Sequence, residues 1–255
     1  MDVLLAVVWA TEGGPPSGGA VDGREQAAGT AAEGATALRA RIADVVEGPL
    51  AVLGVDEYVV NVRDEAVAGA LIDMQVTELP FLAAVRARVP VASTTACSAV
   101  IDALGRLGPV SAWSVTASEP LAVADPGEDG RCAGMANLAF LRRPDRLGSE
   151  EWLRTWLEDH TPVAIRTQST TGYTQHVVVR ALTEAAPAIH GVVEEVFPIE
   201  AVGDLGVFFD GRGSDERMAA NMREMTASTG RFLDEGTVDA IPTGRYVVGI
   251  RARPV

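Results

Sequence analysis

The chain has 255 residues and a formal net charge of −14, and all 21 basic residues are arginines because the sequence contains no lysine. A surface of this sign repels nucleic-acid phosphates and anionic lipid headgroups, so we expect no nucleic-acid partner and no membrane partner. The missing lysine excludes Schiff-base chemistry and amine nucleophiles. A hydrophobic fraction of 47% is that of a globular protein and excludes a disordered chain.

The amino terminus and the cysteines bear on the cellular compartment. The first apolar run, Val3–Trp9, follows Asp2 rather than a basic region, which favours a buried strand over a secretory signal. No run approaches the roughly 18 apolar residues of a membrane span. We therefore expect a cytoplasmic protein. Cys97 and Cys132 are too few and too far apart for a disulfide framework or a zinc site, so we expect two reduced thiols and no metal.

Hydrophobic periodicity predicts the elements of the first half. In chain order they are strand Val3–Trp9, helix Ala31–Val46, strands Val52–Val62 and Ala68–Val76, helical material at Phe81–Leu107, and strand Val110–Thr116. The stretch Thr11 to Gly34 is rich in Gly, Ala and Pro and predicts a long surface loop, to which we assign no role. An acidic, Pro- and Gly-containing seam at Ala124 to Arg131 separates the halves.

The second half repeats the same order of elements. They are strand Met135–Leu141, helix Ser149–Arg166, strands Tyr173–Leu182 and Gly191–Phe197, helix Asp215–Leu233, and strand Thr243–Ile250. Each half therefore has the order β-α-β-β-α-β, which predicts an α+β protein of tandem ferredoxin-like repeats, a degenerate one at 1–124 and a second at 132–255. Since each sheet leaves one apolar face bare, we expect the two to close into a dimeric-α/β-barrel-type structure within one chain, with helices outside and a cavity between the sheets.

One helix of the second half carries aromatic residues at helical spacing. Trp152, Trp156 and His160 recur at i, i+4 and i+8 and should line one face, and Thr161-Pro162 is predicted to end or bend the helix there. His160 then either reaches the rim of a cavity or caps a packed tryptophan pair. Both interpretations stay open from the sequence.

The strands after this helix carry ionisable side chains. In Tyr173–Leu182 alternate residues point to opposite faces, so either Tyr173 or His176 faces the cavity. In the next strand Glu194 and Glu195 also point to opposite faces. One of these carboxyls is expected in an apolar setting, where desolvation raises its pKa and suits it to acid/base chemistry, although a strand-end glutamate in water would show the same letters.

The last predicted helix carries a stripe of apolar residues. Met218, Met222, Met225 and Phe232 lie at helical spacing, and we interpret them as core rather than as a ligand-binding surface.

Several motifs of the second half, in this order and spacing, resemble the EthD family. They are Trp152-x3-Trp156-x3-His160-Thr161-Pro162, Tyr173-x-Gln175-His176-Val177, Gly191-Val192-Val193-Glu194, Phe208-Phe209, and Asn221-x3-Met225-x2-Ser228-x3-Phe232-Leu233-Asp234. The resemblance implies a dimeric α/β-barrel fold and an association with breakdown of organic compounds or polyketide tailoring. The first half lacks the tryptophan–histidine helix, so family chemistry is expected in the second half.

These observations lead to a functional hypothesis. The chain is expected to bind a small, largely apolar, aromatic or polyketide-like molecule between its sheets, without a cofactor. The residues assigned to catalysis are His160, Tyr173, His176 and Glu194, and those assigned to ligand contact are Trp152 and Trp156. A non-catalytic accessory or assembly protein is the alternative, haem ligation by a histidine is a third hypothesis, and association into a homodimer stays open.

Overall fold

The computed structural model describes residues 1–11 and 24–250, with side chains described for 1–11 and 34–250. The strands are β1 Asp2–Trp9, β2 Glu57–Val62, β3 Phe81–Val89, β4 Val110–Leu121, β5 Met135–Leu141, β6 Gly172–Ala181, β7 Gly191–Phe197 and β8 Asp239–Gly249. The helices are α1 Arg24–Val52, α2 Thr94–Leu104, α3 Ser149–Arg154, α4 Thr161–Thr167, α5 Leu205–Phe208 and α6 Asp215–Thr229, together with a π-helical turn at Thr155–His160 between α3 and α4 and short 3-10 turns at Glu65–Val67 and Ile199–Val202.

The eight strands form one closed antiparallel barrel in the order β1-β3-β2-β8-β5-β7-β6-β4. Each repeat contributes four neighbouring strands, β4-β1-β3-β2 from the first and β8-β5-β7-β6 from the second. The repeats join where β2 pairs with β8 and β4 pairs with β6. This arrangement confirms the predicted α+β barrel of two ferredoxin-like repeats. The joins are hydrogen-bonded ladders rather than a packing of two separate sheets.

The helices of the first repeat cover the outer face of its strands. In α1, Ile42, Val46 and Leu50 recur every four residues and are fully buried. They pack in one apolar cluster with Leu4 and Val8 of β1. Burial of this stripe stabilises the helix far more than its local propensity does.

The α3–α4 segment is continuous but locally widened. The backbone N–H of Thr161 bonds to the carbonyl of Trp156, five residues back, and the Thr161 hydroxyl donates to the same oxygen over 3.0 Å. Pro162, which has no N–H to donate, follows directly after this widened turn. The helix does not end at Thr161-Pro162, as one of the two predicted alternatives required, because it continues to Thr167. The site of Pro162 is marked instead by a π-helical turn, a feature frequent at functional sites.

The structure differs most from the predicted elements in the region that precedes α2. Residues 68–76, predicted as a strand, form an irregular segment, and the start of the predicted helical material is strand β3. Alanine, leucine and arginine favour helices locally, but β3 is paired on both sides, with β1 and with β2. Tertiary pairing therefore overrides propensity here.

The predicted loop Thr11 to Gly34 has two outcomes. Residues 12–23 lie outside the described residues. From Arg24 the chain is already helix α1, so the loop prediction is wrong for residues 24–34.

The barrel interior is filled at one end by apolar side chains. Trp9 belongs to this apolar cluster, with ring centroids 6.4 Å from Phe81 and 6.3 Å from Phe140, and its indole N–H donates to Ser111 over 2.9 Å. A layer of charged and polar side chains follows, and a cavity of about 190 Å³ opens at the other end. The expected cavity between the sheets is therefore reduced to this space, which we call the barrel mouth.

Within residues 24–250 no helix combines the length and the apolar character needed to cross a membrane.

We predict that Gly191 is required for tryptophan packing against β7. A Cβ at this position would lie 2.5 Å from Trp156 and 3.3 Å from Trp152, and both indoles are buried and cannot move aside. Gly191→Ala should lower the free energy of unfolding by about 2 kcal/mol, as overpacked sites do. Urea denaturation measures this. Gly203→Ala, where a Cβ meets nothing within 4 Å, is the control and should change stability little; equal effects of the two substitutions would contradict the packing argument.

Candidate functional site

A pocket of about 170 Å³ lies between the outer face of the second repeat's strands and its helices. We call it the helix–sheet pocket. Its walls are largely apolar and aromatic. They include Trp156, Phe208, Phe209, Met225, Phe232, Leu141, Val193 and Ala240. A pocket with apolar walls and a few polar groups is the usual form of a small-molecule site.

Three polar atoms in the pocket lining have no hydrogen-bond partner among the described residues. They are the Trp156 Nε1–H donor and the side-chain oxygens of Asn137 and Gln168. All three side chains are buried. Since buried polar groups in native proteins are nearly always paired, this concentration in one pocket indicates a place for a polar ligand group.

Glu195 is the ionisable group of greatest chemical interest in the pocket. It projects from β7 toward the helices and is 6% exposed. Burial raises the pKa of its carboxyl to about 7, against a weaker opposing effect of the Asn137 side chain. A carboxyl poised near neutral pH can both accept and return a proton.

Tyr173 and His160 line the same pocket. Burial, and then the nearby Glu195 carboxyl, raise the pKa of Tyr173, so its phenol stays protonated. Burial, and then Arg231, lower the pKa of His160 to about 4, so the imidazole is neutral. Its Nδ1 lies 2.9 Å from the Ser228 hydroxyl, and its ring centroid lies 4.6 Å from that of Phe232. His160 is thus held in place as a neutral polar group.

The first repeat covers part of this pocket. Residues 68–80 of the first repeat lie between the 3-10 turn Glu65–Val67 and β3, and we call them the covering segment. They place Ile72 in the pocket wall. Met74 forms a bridge with Ala240 of β8, and the fully buried carboxylate of Asp239 accepts from the backbone N–H groups of Val76 and Thr77 over 2.7 and 2.8 Å. The site therefore needs both repeats.

His176 and Glu194 face the opposite side of the sheet, inside the barrel. Arg86 Nη2 donates to Glu194 over 3.0 Å, Arg245 Nε over 3.3 Å and Asn61 Nδ2 over 2.8 Å. Burial by itself raises the pKa of Glu194, but the two guanidinium groups and the amide outweigh it, and the pKa lies below its usual value. Burial, then Arg86, lower the pKa of His176 to about 3, so Nε2 accepts from Arg86 Nη1 over 3.1 Å.

The prediction that four catalytic candidates share one cavity between the sheets is wrong. His160 and Tyr173 lie in the helix–sheet pocket, whereas His176 and Glu194 lie in the barrel, because alternate residues of β6 and β7 point to opposite faces. Of the predicted ligand contacts, Trp156 lines the pocket. Trp152 packs behind it, with ring centroids 5.1 Å apart, and donates to the carbonyl of Phe232.

Glu195, Asn137 and Gln168 were missed as candidates. An apolar setting for one carboxyl of the pair 194 and 195 was one of two interpretations of the sequence, and the structure assigns that setting to Glu195. Asn137 sits in a strand that is otherwise apolar, MANLAFL, and that exception was the available signal. The methionine stripe is core only in part, since Met225 and Phe232 line the pocket and Met222 is exposed.

No model of a known protein family matches the chain, and no curated protein matches its sequence. Among solved structures, an anthrone oxidase-like protein superposes with a TM-score of 0.55, covering 98% of this chain and 93% of its own at 9% identity. A monooxygenase candidate from Fusobacterium nucleatum subsp. nucleatum covers 100% of this chain and 97% of its own, at 10% identity and a TM-score of 0.45. The first likeness shows a shared fold, the α/β barrel expected from the EthD resemblance.

We predict that ionisation of Glu195 destabilises the folded state. Its raised pKa means that the folded chain binds more protons than the unfolded chain between about pH 4.5 and 7, so this group's contribution to stability falls as pH rises through that window. Glu195→Gln removes the effect. The free energy of unfolding of the variant minus that of the original protein should therefore increase by about 2 kcal/mol between pH 5 and pH 8. Urea denaturation at both pH values measures this, and taking the difference cancels the opposing titrations of His160 and His176. A pH-independent difference would contradict the raised pKa.

Proposed function

We propose that the chain is a cofactor-independent enzyme that binds a small, largely apolar aromatic molecule in the helix–sheet pocket and uses Glu195 as an acid/base catalyst. The observation that carries the proposal is the buried Glu195 carboxyl in an otherwise apolar pocket that also holds three unpaired buried polar atoms. Degradation or tailoring of organic compounds is the class of reaction that we assign to it.

The lining supports an aromatic ligand with at least one oxygen. Phe208, Phe232 and the Trp156 indole offer aromatic surface, which favours stacked or edge-to-face contacts with another ring. The unpaired Trp156 N–H can donate to a carbonyl or phenolate oxygen. A ligand without such an oxygen would leave this donor unsatisfied.

Proton transfer is the chemical step that the pocket supports. The ionised Glu195 carboxylate takes a proton from an acidic C–H that is conjugated with a ring carbonyl through the aromatic rings. The electron pair of the broken C–H bond moves toward the carbonyl oxygen and gives an enolate. The Trp156 N–H is the donor available to that oxygen, whereas His160 is neutral and held by Ser228 and so supplies no positive charge.

The comparisons and the motifs give a first ligand to test. The anthrone oxidase-like protein shares the fold, and an anthrone is an aromatic ketone with an acidic C–H, so we propose this class of ketone as substrate. We also propose that the second repeat is an EthD-like unit, because motifs of that resemblance contribute Trp156, His160, Tyr173, Met225 and Phe232 to the pocket.

Hydrogen exchange tests the proposal. The purified protein is mixed with anthrone in D2O under anaerobic conditions, and deuterium incorporation at the acidic carbon is followed by mass spectrometry. We expect the protein to accelerate exchange, with a rate that rises with pH through about 7 as Glu195 ionises. Glu195→Gln should lower the accelerated rate at least 100-fold, the usual contribution of a general base.

Binding is measured in parallel by quenching of tryptophan fluorescence. Glu195→Gln should still bind anthrone, and the exposed Glu184→Gln is the control that should keep both binding and exchange. Binding without accelerated exchange would favour a carrier protein. Absence of both would overturn the proposal and favour the accessory role.

A further inference from the structure

The inner end of the barrel mouth, which we call its floor, carries two arginines but only one carboxylate. Arg86 and Arg245 both donate to the single carboxylate of Glu194, and their side chains are only 15% and 12% exposed. His176, the other ionisable group of this layer, is neutral. Two buried guanidinium groups therefore share one carboxylate. A buried charge without a partner is costly, so a site of this kind favours an added anion.

The arginines still have hydrogen-bond donors available. Arg245 uses Nε on Glu194 and Nη1 on the Cys132 sulfur, over 2.8 Å. Its Nη2 has no hydrogen-bond partner among the described residues, and the same holds for Nε of Arg86. Both side chains line the cavity of about 190 Å³ that opens at this end of the barrel. Thr174 lines it as well, whereas the Ser118 hydroxyl donates to Gln175 over 3.1 Å and is not available to a ligand.

The rim of the cavity carries charges of both signs. Arg88 follows Arg86 on the same face of β3 and adds a third guanidinium group, while Glu57 and Glu119 add carboxylates. These three side chains belong to exposed residues. No salt bridge joins either rim carboxylate to Arg86, Arg88 or Arg245 among the described residues. The floor is therefore cationic, whereas the rim is mixed and solvated.

We infer that the barrel mouth is a binding site for a small oxyanion, a carboxylate or a phosphate, held between Arg86 and Arg245 with help from Arg88. The bidentate geometry of guanidinium groups suits both oxyanions. The exposed Glu57 and Glu119 weaken binding of highly charged anions, and the cavity volume of about 190 Å³ limits the size of the ligand. This site lies on the other face of the sheet from the helix–sheet pocket and does not depend on the function proposed there.

Titration calorimetry tests the inference. Inorganic phosphate and acetate are titrated separately into the full chain at constant ionic strength, with chloride as the balancing anion. We expect saturable binding of one anion to one site per chain, and the anion that binds more tightly identifies the class of ligand. Binding of both anions with no saturation, or of neither, would overturn the inference.

Substitutions at the rim decide whether binding occurs at this place, because they leave the buried layer intact. Arg88→Gln should weaken binding about fivefold, and Glu119→Gln should strengthen it about twofold. Arg106→Gln removes one exposed charge after α2, away from the cavity, and should leave affinity unchanged. Equal weakening by Arg88→Gln and Arg106→Gln would show a general charge effect and contradict a site in the barrel mouth.

Discussion

Closure of the barrel at its two joins positions every other element of the chain. Pairing of β2 with β8 and of β4 with β6 satisfies the backbone groups that two separate four-stranded sheets would leave open at their edges. Side chains reinforce one join. The Tyr246 hydroxyl donates to Asp64 over 2.7 Å, Arg131 Nε donates to the same carboxylate over 2.8 Å, and the Arg39 guanidinium lies 3.7 Å from the Tyr246 ring centroid.

A closed barrel gives every strand one face inside and one face toward the helices, and β7 shows the chemical consequence. Glu194 and Glu195 are consecutive and both buried, yet their pKa values move in opposite directions. Arginines from β3 and β8 surround Glu194 and keep it ionised. Glu195 meets aromatic and aliphatic side chains and is half protonated near pH 7. Glu194 therefore links the arginines inside the barrel, whereas Glu195 is a proton acceptor on the outer face.

The two repeats are not independent in forming the helix–sheet pocket. The first repeat lacks the tryptophan–histidine helix, but its covering segment closes part of the pocket of the second, anchored by the buried carboxylate of Asp239. Arg142 donates to the same carboxylate over 2.8 Å and to the Thr77 hydroxyl over 3.0 Å. Polar contacts hold this segment in place, and it forms no strand ladder. The strand predicted at residues 68–76 is therefore absent.

Three features could be predicted from the sequence: the repeat order, the α+β barrel, and the helix that carries Trp156 and His160. These features follow from periodicity, which is local. The folded barrel was needed to establish that β3 is a strand, that Glu195 faces the pocket, and that Arg86 and Arg245 surround Glu194. Each of these depends on which face of a strand turns inward and on partners more than 50 residues away, as between Arg86 and Glu194. Alternation along one strand gives two equivalent faces, and closure of the barrel chooses between them.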